Sequence, residues 1–229
     1  MISKKNKKSS TLLLGKKIYS IGYGCGIGNY SRKYDYSLIK SIIKNAYNIG
    51  YNFFDTAPIY GFGLSEKYLG SSLTLSQKDK CIIATKISPE MLSAKNIHKS
   101  VMQSKKNLGI DRIDLVQLHW PNPKINLKES LDALLELKNK EHINGIGICN
   151  YDYNDVKKIF KFYDENILST FQIEYNFFDR TIESKIKKLL DKKKVRILAY
   201  SPLAQGRIFN GRRQKNILDE ISFKYDLSI

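Results

Sequence analysis

Residues 81–119 read CIIATKISPEMLSAKNIHKSVMQSKKNLGIDRIDLVQLH and contain one complete strand–helix–strand pattern. Cys81–Lys86 and Asp114–His119 are short runs rich in apolar and β-branched residues, which is typical of strands buried on both faces. Between them, apolar residues from Ile97 to Leu108 recur at the 3.6-residue period of a helix with one buried face. The order strand, helix, strand predicts a parallel βαβ unit.

The same pattern continues on both sides of this unit, so that about seven strand–helix units follow one another without a break. Such repetition predicts a parallel sheet with helices outside it, either an open doubly wound sheet or a (β/α)8 barrel. The other predicted strands are Ile18–Gly22, Tyr51–Asp55, Gly145–Cys149, Phe171–Glu174 and Arg196–Tyr200. The other helical patterns run through Leu38–Ala46, Leu127–Leu137, Ile182–Leu190 and Lys215–Asp226.

A glycine-rich segment after the first predicted strand separates the two architectures. A doubly wound dinucleotide-binding sheet places the motif G-x-G-x-x-G between a strand and the immediate start of a helix. Here Gly22, Gly24, Gly26 and Gly28 alternate with other residues, so the third glycine of the motif is out of place. No helical pattern follows directly. The sequence therefore favours an α/β protein with a (β/α)8 barrel.

Length and composition are those of one globular domain: the chain has 229 residues, 42% hydrophobic and 27% charged. We predict a basic, disordered tail over residues 1–10 and a single barrel domain over residues 11–229. No apolar run reaches the roughly 18–20 residues that cross a bilayer, or forms the apolar region of a secretory signal. Cys25, Cys81 and Cys149 are widely spaced and form no metal-type pair, which indicates a cytoplasmic protein with free thiols and no metal site.

The net charge of +17 raises the question of a nucleic-acid or membrane partner. The lysines are spread along the whole chain, and no basic helix or basic patch interleaved with aromatic residues stands out. We interpret them as a solvated outer face, and we expect neither nucleic acid nor a membrane as a partner.

Four polar residues lie where a barrel carries its chemistry, at the C-terminal ends of strands and in the loops that follow. They are Asp55, Tyr60, Lys86 and His119. Each has an ordinary alternative as a turn cap, a loop anchor or a hydrogen-bonded core residue. Together they form a group that can transfer a proton. A tyrosine has an ordinary pKa of about 10, so we expect Lys86 to lower the pKa of Tyr60 and Asp55 to keep Lys86 charged.

The chain resembles the aldo-keto reductase family over nearly its whole length, from about Leu14 onward, through motifs that occur in the family's order. The match at the catalytic strands consists of Phe54-Asp-Thr-Ala-Pro-Ile-Tyr60-Gly, Ser65-Glu-Lys-Tyr-Leu-Gly70, Ala84-Thr-Lys86 and Ile113-Asp-Leu-Val-Gln-Leu-His119-Trp-Pro. It continues with Asn144-Gly-Ile-Gly-Ile-Cys-Asn150, Phe171-Gln-Ile-Glu-Tyr-Asn176 and Ala199-Tyr-Ser-Pro-Leu-Ala-Gln-Gly206.

The resemblance implies an NAD(P)H-dependent oxidoreductase that interconverts aldehydes or ketones, including sugar-like ones, and alcohols. The four residues above match the family's catalytic tetrad, with Tyr60 as general acid and base. NADPH is the implied cofactor, with NADH as the alternative. The positions that match cofactor-binding residues are Asn150, Gln172, Tyr200, Ser201 and Leu203, and Trp120 matches the substrate pocket. Cys149 stands where family members usually have serine.

The resemblance also implies that the eighth strand is missing, since the sequence stops at Ile229 after the helical segment that follows the seventh strand. Family members grip the adenosine phosphate of NADPH after that strand. We therefore expect an incomplete barrel of about seven units, and an alternative function follows. In that alternative, the chain is a truncated member that binds nicotinamide but is catalytically impaired or regulatory. The substrate and the oligomeric state stay open.

Overall fold

The computed structural model describes residues 9–26 and 35–226, which form a short hairpin followed by a seven-stranded parallel sheet with helices around it. The strands are β1 (Ser10–Leu13), β2 (Lys16–Tyr19), β3 (Tyr23–Gly24), β4 (Phe53–Asp55), β5 (Ile82–Ile87), β6 (Ile113–Leu118), β7 (Ile143–Cys149), β8 (Thr170–Glu174) and β9 (Arg196–Tyr200). The helices are α1 (Tyr36–Asn48), α2 (Leu64–Ser72), α3 (Leu75–Asp79), α4 (Ala94–Leu108), α5 (Leu127–Asn139), α6 (Tyr153–Phe162), α7 (Ile186–Lys192) and α8 (Arg212–Tyr225).

The order of the strands in the sheet decides between the two predicted architectures. The strands β3 to β9 pair in the order in which they occur along the chain, and every pair is parallel. A doubly wound sheet would reverse its order at a switch point. Sequential order with right-handed crossovers places the helices on one face and turns the other face inward, as in a barrel. Within the described residues β3 and β9 each pair with one neighbour, so the barrel is incomplete, as predicted.

The hairpin of β1 and β2 covers the N-terminal end of the barrel. Leu13 and Ile18 are buried there against a cluster from the barrel interior that includes Phe53 and Leu115. Lys16 fixes the hairpin, because its Nζ donates hydrogen bonds of 2.6 Å to Asp114 Oδ1 on β6 and of 2.6 Å to a backbone carbonyl before β5. The C-terminal end of the barrel is thus left as the accessible one.

The first predicted strand is wrong in its position. Residues 18–22 were expected to form it, but Ile18 belongs to the hairpin strand β2, and the first strand of the parallel sheet is β3. Ile18 has the apolar character of a barrel strand because it packs into the barrel from below and is 4% exposed. The predicted helix over Ile182–Leu190 is also divided, since a 3-10 turn, Thr181–Glu183, precedes α7.

Some of the remaining predictions concern described residues, and others fall outside them. The C-terminal helical segment forms α8, and Cys25, Cys81 and Cys149 are buried free thiols. Most of the predicted tail, together with Gly28 of the glycine-rich segment, lies outside the described residues, and β1 begins at Ser10. No helix in the described part of the chain is long and apolar enough to span a membrane.

Candidate active site

The four predicted catalytic residues come together at the C-terminal ends of three adjacent strands. Asp55 is the last residue of β4, Lys86 is the last but one of β5, and His119 directly follows β6. Tyr60 begins a short 3-10 turn in the loop between β4 and α2. Strand pairing of β4 with β5 and of β5 with β6 therefore brings residues far apart in sequence to one place.

The Lys86 ammonium is the centre of this group and is 2% exposed. Its Nζ donates to Asp55 Oδ2 at 2.7 Å, to the Thr56 carbonyl at 2.9 Å and to the Tyr60 hydroxyl at 3.5 Å. Burial is the largest influence on the pKa of Lys86 and lowers it, but the combined effect of Asp55, Tyr60 and Cys149 outweighs burial and raises the pKa above its ordinary value. Lys86 is therefore a charged group at every physiological pH.

Tyr60 lies in contact with this cation but does not lose its proton to it. Burial raises the pKa of Tyr60 above its ordinary value, and Lys86 opposes this effect without overcoming it. The expectation that Lys86 brings the pKa of Tyr60 below its ordinary value is therefore wrong for the protein alone, because burial outweighs the effect of the lysine and the charge of Asp55 raises the pKa further. At neutral pH Tyr60 is protonated, which is the form a general acid needs.

The loop that carries Tyr60 is anchored by the buried start of α2. The Ser65 hydroxyl lies 2.7 Å from the hydroxyl of Thr56, the residue that follows Asp55. The carboxylate of Glu66, which is fully buried, accepts a 2.7 Å hydrogen bond from the Thr85 hydroxyl on β5. These bonds fix α2 to the strands, so that the turn at Tyr60 has a defined position over Lys86.

His119 completes the group as a neutral imidazole. Its ring is 5.9 Å from the Tyr60 ring, centroid to centroid, in an edge-on arrangement. Burial and then the charge of Lys86 lower the pKa of His119 to about 4. Its Nδ1 is buried without a hydrogen-bond partner among the described residues. A proton on Nε2 leaves only a lone pair unmatched at Nδ1, whereas the other tautomer would bury an unpaired N–H, so Nε2 is the donor.

Three of the predicted cofactor-binding residues border this group. The Asn150 amide donates to the His119 carbonyl at 3.1 Å and accepts from the Tyr200 hydroxyl at 3.0 Å. The Gln172 amide donates to Asp55 Oδ2 at 3.2 Å, which joins β8 to the catalytic group directly. Asn150 adopts a left-handed backbone conformation (φ 63°) directly after β7, and this turn points its side chain back over the strand ends.

The other predicted positions lie further out on the same end of the barrel. Ser201 and Leu203 are in the loop after β9, where the Ser201 carbonyl accepts a hydrogen bond from Asn176 Nδ2 at 3.2 Å, and Leu203 is exposed. Trp120 follows His119 in the sequence and is also exposed. Cys149 is buried, and its thiol donates to Gln172 Oε1 at 3.3 Å.

Sequence reasoning missed one residue that touches this group. Gln117 lies inside β6, is fully buried, and has its amide nitrogen 3.5 Å from Asp55 Oδ1. The signal was present in Ile113–Leu118, because a glutamine within an otherwise apolar buried strand needs hydrogen-bond partners inside the fold. Within the described residues there is no group of side chains that could hold a metal ion.

Comparison with known proteins shows where this arrangement belongs. The sequence profile of the aldo/keto reductase family matches residues 20–222. Aldo-keto reductase YhdN of Bacillus subtilis is 31% identical over 173 residues, which cover 72% of this chain and 51% of the relative. Methylglyoxal reductase YeaE of Escherichia coli is 29% identical over 181 residues, which cover 79% of this chain and 63% of the relative.

The fold has close counterparts among solved structures. The thermostable aldo-keto reductase Tm1743 superposes with a TM-score of 0.85 at 29% identity, over 96% of this chain and 81% of its own. An aldo/keto reductase from Klebsiella pneumoniae, solved with NADP and acetate, superposes with a TM-score of 0.81 at 24% identity, over 97% of this chain and 78% of its own. The seven strands thus correspond to a (β/α)8 barrel that is incomplete here. Since the family profile covers most of its length, the chain belongs to the aldo/keto reductase family.

Proposed function

We propose that the protein is an NAD(P)H-dependent oxidoreductase that interconverts small aldehydes or ketones and their alcohols, with Tyr60 as general acid and base. The observation that carries the proposal is the position of Lys86 Nζ, hydrogen-bonded both to Asp55 Oδ2 at 2.7 Å and to the Tyr60 hydroxyl at 3.5 Å. An ammonium that is buried beside a phenol and held by a carboxylate stabilises the phenolate form, and so helps the phenol to release its proton.

Asn150 and Gln172 border this group and can form further hydrogen bonds. These suit a nicotinamide carboxamide, which offers both a donor and an acceptor. Asn150 uses one of its two N–H groups and one lone pair in the bonds described above, so it retains one donor and one acceptor. Gln172 Oε1 already accepts from Gln117 and from the Cys149 thiol. A thiol is a weak donor, so a carboxamide can replace it. Asn150, Gln172 and Tyr200 are therefore the residues that would hold the cofactor's nicotinamide.

The residues of the site divide the work of carbonyl reduction. When bound, the reduced nicotinamide supplies a hydride for the carbonyl carbon. Tyr60 gives its proton to the carbonyl oxygen, and Lys86 stabilises the phenolate that remains. The neutral His119 donates a hydrogen bond from Nε2 to the same oxygen. In the direction of oxidation, the Tyr60 phenolate takes the proton from the alcohol.

The relatives suggest a substrate class for the first assays. Two relatives from Escherichia coli are methylglyoxal reductases, and one of these is specific for NADH. Trp120, Ile59 and Phe62 present exposed apolar surface near His119 and Tyr60 in sequence, which suits a small carbonyl compound with little charge. We propose methylglyoxal as the probe substrate and NADPH as the preferred cofactor, with NADH tested in parallel.

Trp120 provides the test, because it is the chain's single tryptophan and directly follows His119. Its fluorescence is followed while NADPH or NADH is added, and oxidation of the dinucleotide is then measured with methylglyoxal. We expect quenching that saturates, followed by turnover. Unchanged fluorescence up to high micromolar concentrations of both dinucleotides, together with no turnover, would reject the proposal. Saturable quenching without turnover on methylglyoxal or on a panel of small aldehydes would favour the alternative of a member that binds the cofactor but is catalytically impaired.

A further inference from the structure

A row of residues crosses the barrel interior directly beneath the catalytic group. Lys86 on β5 is paired in register with Gln117 on β6, Gln117 with Gly147 on β7, and Gly147 with Thr170 on β8. Residues in register on adjacent parallel strands project to the same side of a sheet. The catalytic lysine therefore belongs to a polar row, although barrel interiors are usually filled with apolar side chains.

Gln117 is the centre of this row and is fully buried. Its Nε2 lies 3.2 Å from Gln172 Oε1 and 3.5 Å from Asp55 Oδ1, and its Oε1 accepts a 3.0 Å hydrogen bond from the Thr170 hydroxyl. Burying an amide is unfavourable unless its polar atoms are paired, and here both ends of the amide have partners. Gln117 is thus held at three points, one of which is the catalytic carboxylate.

The Thr170 hydroxyl holds the end of the Gln117 amide that faces away from Asp55. An ionised carboxylate only accepts hydrogen bonds, so it needs the amide nitrogen of Gln117 beside it. Thr170 donates to Gln117 Oε1 and thereby stabilises the orientation in which Nε2 faces Asp55. In the flipped orientation the amide oxygen would lie against the carboxylate with no proton between them.

Gly147 leaves the space in which the Gln117 side chain reaches across β7 to Thr170. A Cβ at Gly147 would overlap Thr170 Oγ1 and would lie 2.9 Å from Gln117 Cγ and 3.0 Å from Gln117 Oε1. Any other residue at this position would force Thr170 or Gln117 to shift. The close approach of these three side-chain positions therefore depends on a glycine in the middle of β7.

We propose that Gln117 is a positioning residue for Asp55, with its amide oriented by Thr170 and accommodated by Gly147. Gln117 holds Asp55 Oδ1, so that Oδ2 stays directed at Lys86 Nζ, 2.7 Å away. Loss of this contact leaves the carboxylate held only at Oδ2, by Lys86 and Gln172, so that its orientation beside Lys86 is less firmly fixed. The catalytic consequence rests on the proposed function, whereas the contact with Asp55 does not.

The catalytic consequence is tested with two substitutions at Thr170. Thr170→Val keeps the volume and removes the hydroxyl, whereas Thr170→Ser keeps the hydroxyl and removes a methyl group. We expect Thr170→Val to lower kcat about tenfold with the KM for methylglyoxal unchanged, and Thr170→Ser to retain most of the activity. A packing role predicts the opposite order, and that result would overturn the inference. Ser130→Ala serves as the control. It removes a buried hydroxyl in α5 that donates to the Leu92 carbonyl, and it should show the same kcat and KM as the parent.

A second measurement does not depend on turnover. Asp55→Asn, Gln117→Met and the double variant are unfolded with urea, and the changes in the denaturation midpoint are compared. If Gln117 contacts Asp55 as described, the two changes do not add. Additive changes would overturn the inference whatever the enzyme's activity. Non-additive changes in a parent protein that shows no turnover would support the contact with Asp55 and would reject the proposed function alone.

Discussion

Strands β5 and β9 carry residues of the same site but lie in different surroundings. All six residues of β5 are buried, including Lys86, whereas none of the five residues of β9 is, and Tyr200 at its end is half-buried. β5 is flanked by a strand on each side, and β9 is an edge strand within the described residues. The group around Lys86 is thus fixed by the interior of the barrel, while Tyr200 lies on a more exposed edge strand.

The difference in burial between the two strands follows from the different requirements of Lys86 and Tyr200. A buried ammonium is unfavourable unless several acceptors surround it, so Lys86 requires Asp55, the Thr56 carbonyl and Tyr60 in defined positions. Tyr200 needs no such support, because its ring can rest on the site with one hydrogen bond to Asn150. Substitutions on the two strands should therefore differ both in size and in kind.

The largest difference is expected between Lys86→Met on β5 and Arg196→Met on β9. Lys86→Met removes the cation beside Tyr60, and we expect kcat for methylglyoxal reduction to fall by about 10²- to 10⁴-fold. Arg196 is an exposed residue at the start of β9, so Arg196→Met should leave kcat within about twofold of the parent. If Lys86→Met is folded, as judged by circular dichroism, and keeps more than a tenth of the parent turnover, the expected difference between the two strands is contradicted.

A pH titration of stability probes the buried group through His119. Its pKa is lowered to about 4 from 6.5, so between these values the unfolded chain binds a proton that the folded protein does not. The neutral ring's contribution is complete above pH 6.5 and is lost as the pH falls towards 4. In urea unfolding we expect the parent to lose about 2 kcal/mol more than His119→Gln over this window. If the unfolding free energies of the two proteins change in parallel with pH, the assignment of His119 as a buried neutral imidazole is contradicted.

Two glycine substitutions compare the packing of the barrel interior with that of an edge strand, and the comparison does not require a measurement of activity. Gly147→Ala places a Cβ against Thr170 and Gln117 in the centre of the sheet, and we expect a loss of about 1–3 kcal/mol of unfolding free energy. Gly24→Ala on the edge strand β3 meets no atom within 4 Å, and its effect should stay within about 0.5 kcal/mol. Equal thermal midpoints for the two variants would show that the interior row is not closely packed.

The smallest effect is expected at the boundary between the two regions. Cys149→Ser replaces the thiol bonded to Gln172 by a stronger donor at nearly the same size. We expect the variant to bind the dinucleotide about two- to fivefold less tightly in the Trp120 fluorescence titration, with kcat unchanged, because the carboxamide must displace this stronger donor from Gln172 Oε1. Tighter binding would show that the hydroxyl supports the cofactor instead of competing with it for Gln172.

Sequence reasoning selected three of the four residues that the structure brings together at one end of the barrel, because strand ends are easy to locate. Asp55, Lys86 and His119 each follow an apolar run, and a parallel sheet brings such positions to one end. The hairpin was harder, since Ile18 packs into the barrel although it is not a barrel strand residue. The burial of Tyr60, which sets the direction of its pKa change, depends on the fold of the whole loop and is not encoded in any short motif.

The most direct test of the account is a comparison of the parent with Tyr60→Phe, in which only the phenolic hydroxyl is removed. Both proteins are titrated with NADPH through the fluorescence of Trp120 and then mixed with methylglyoxal in single-turnover experiments. The account predicts that Tyr60→Phe binds NADPH like the parent but oxidises it at least about a hundredfold more slowly. Equal rates of oxidation by the two proteins would contradict the assignment of Tyr60 as the proton donor.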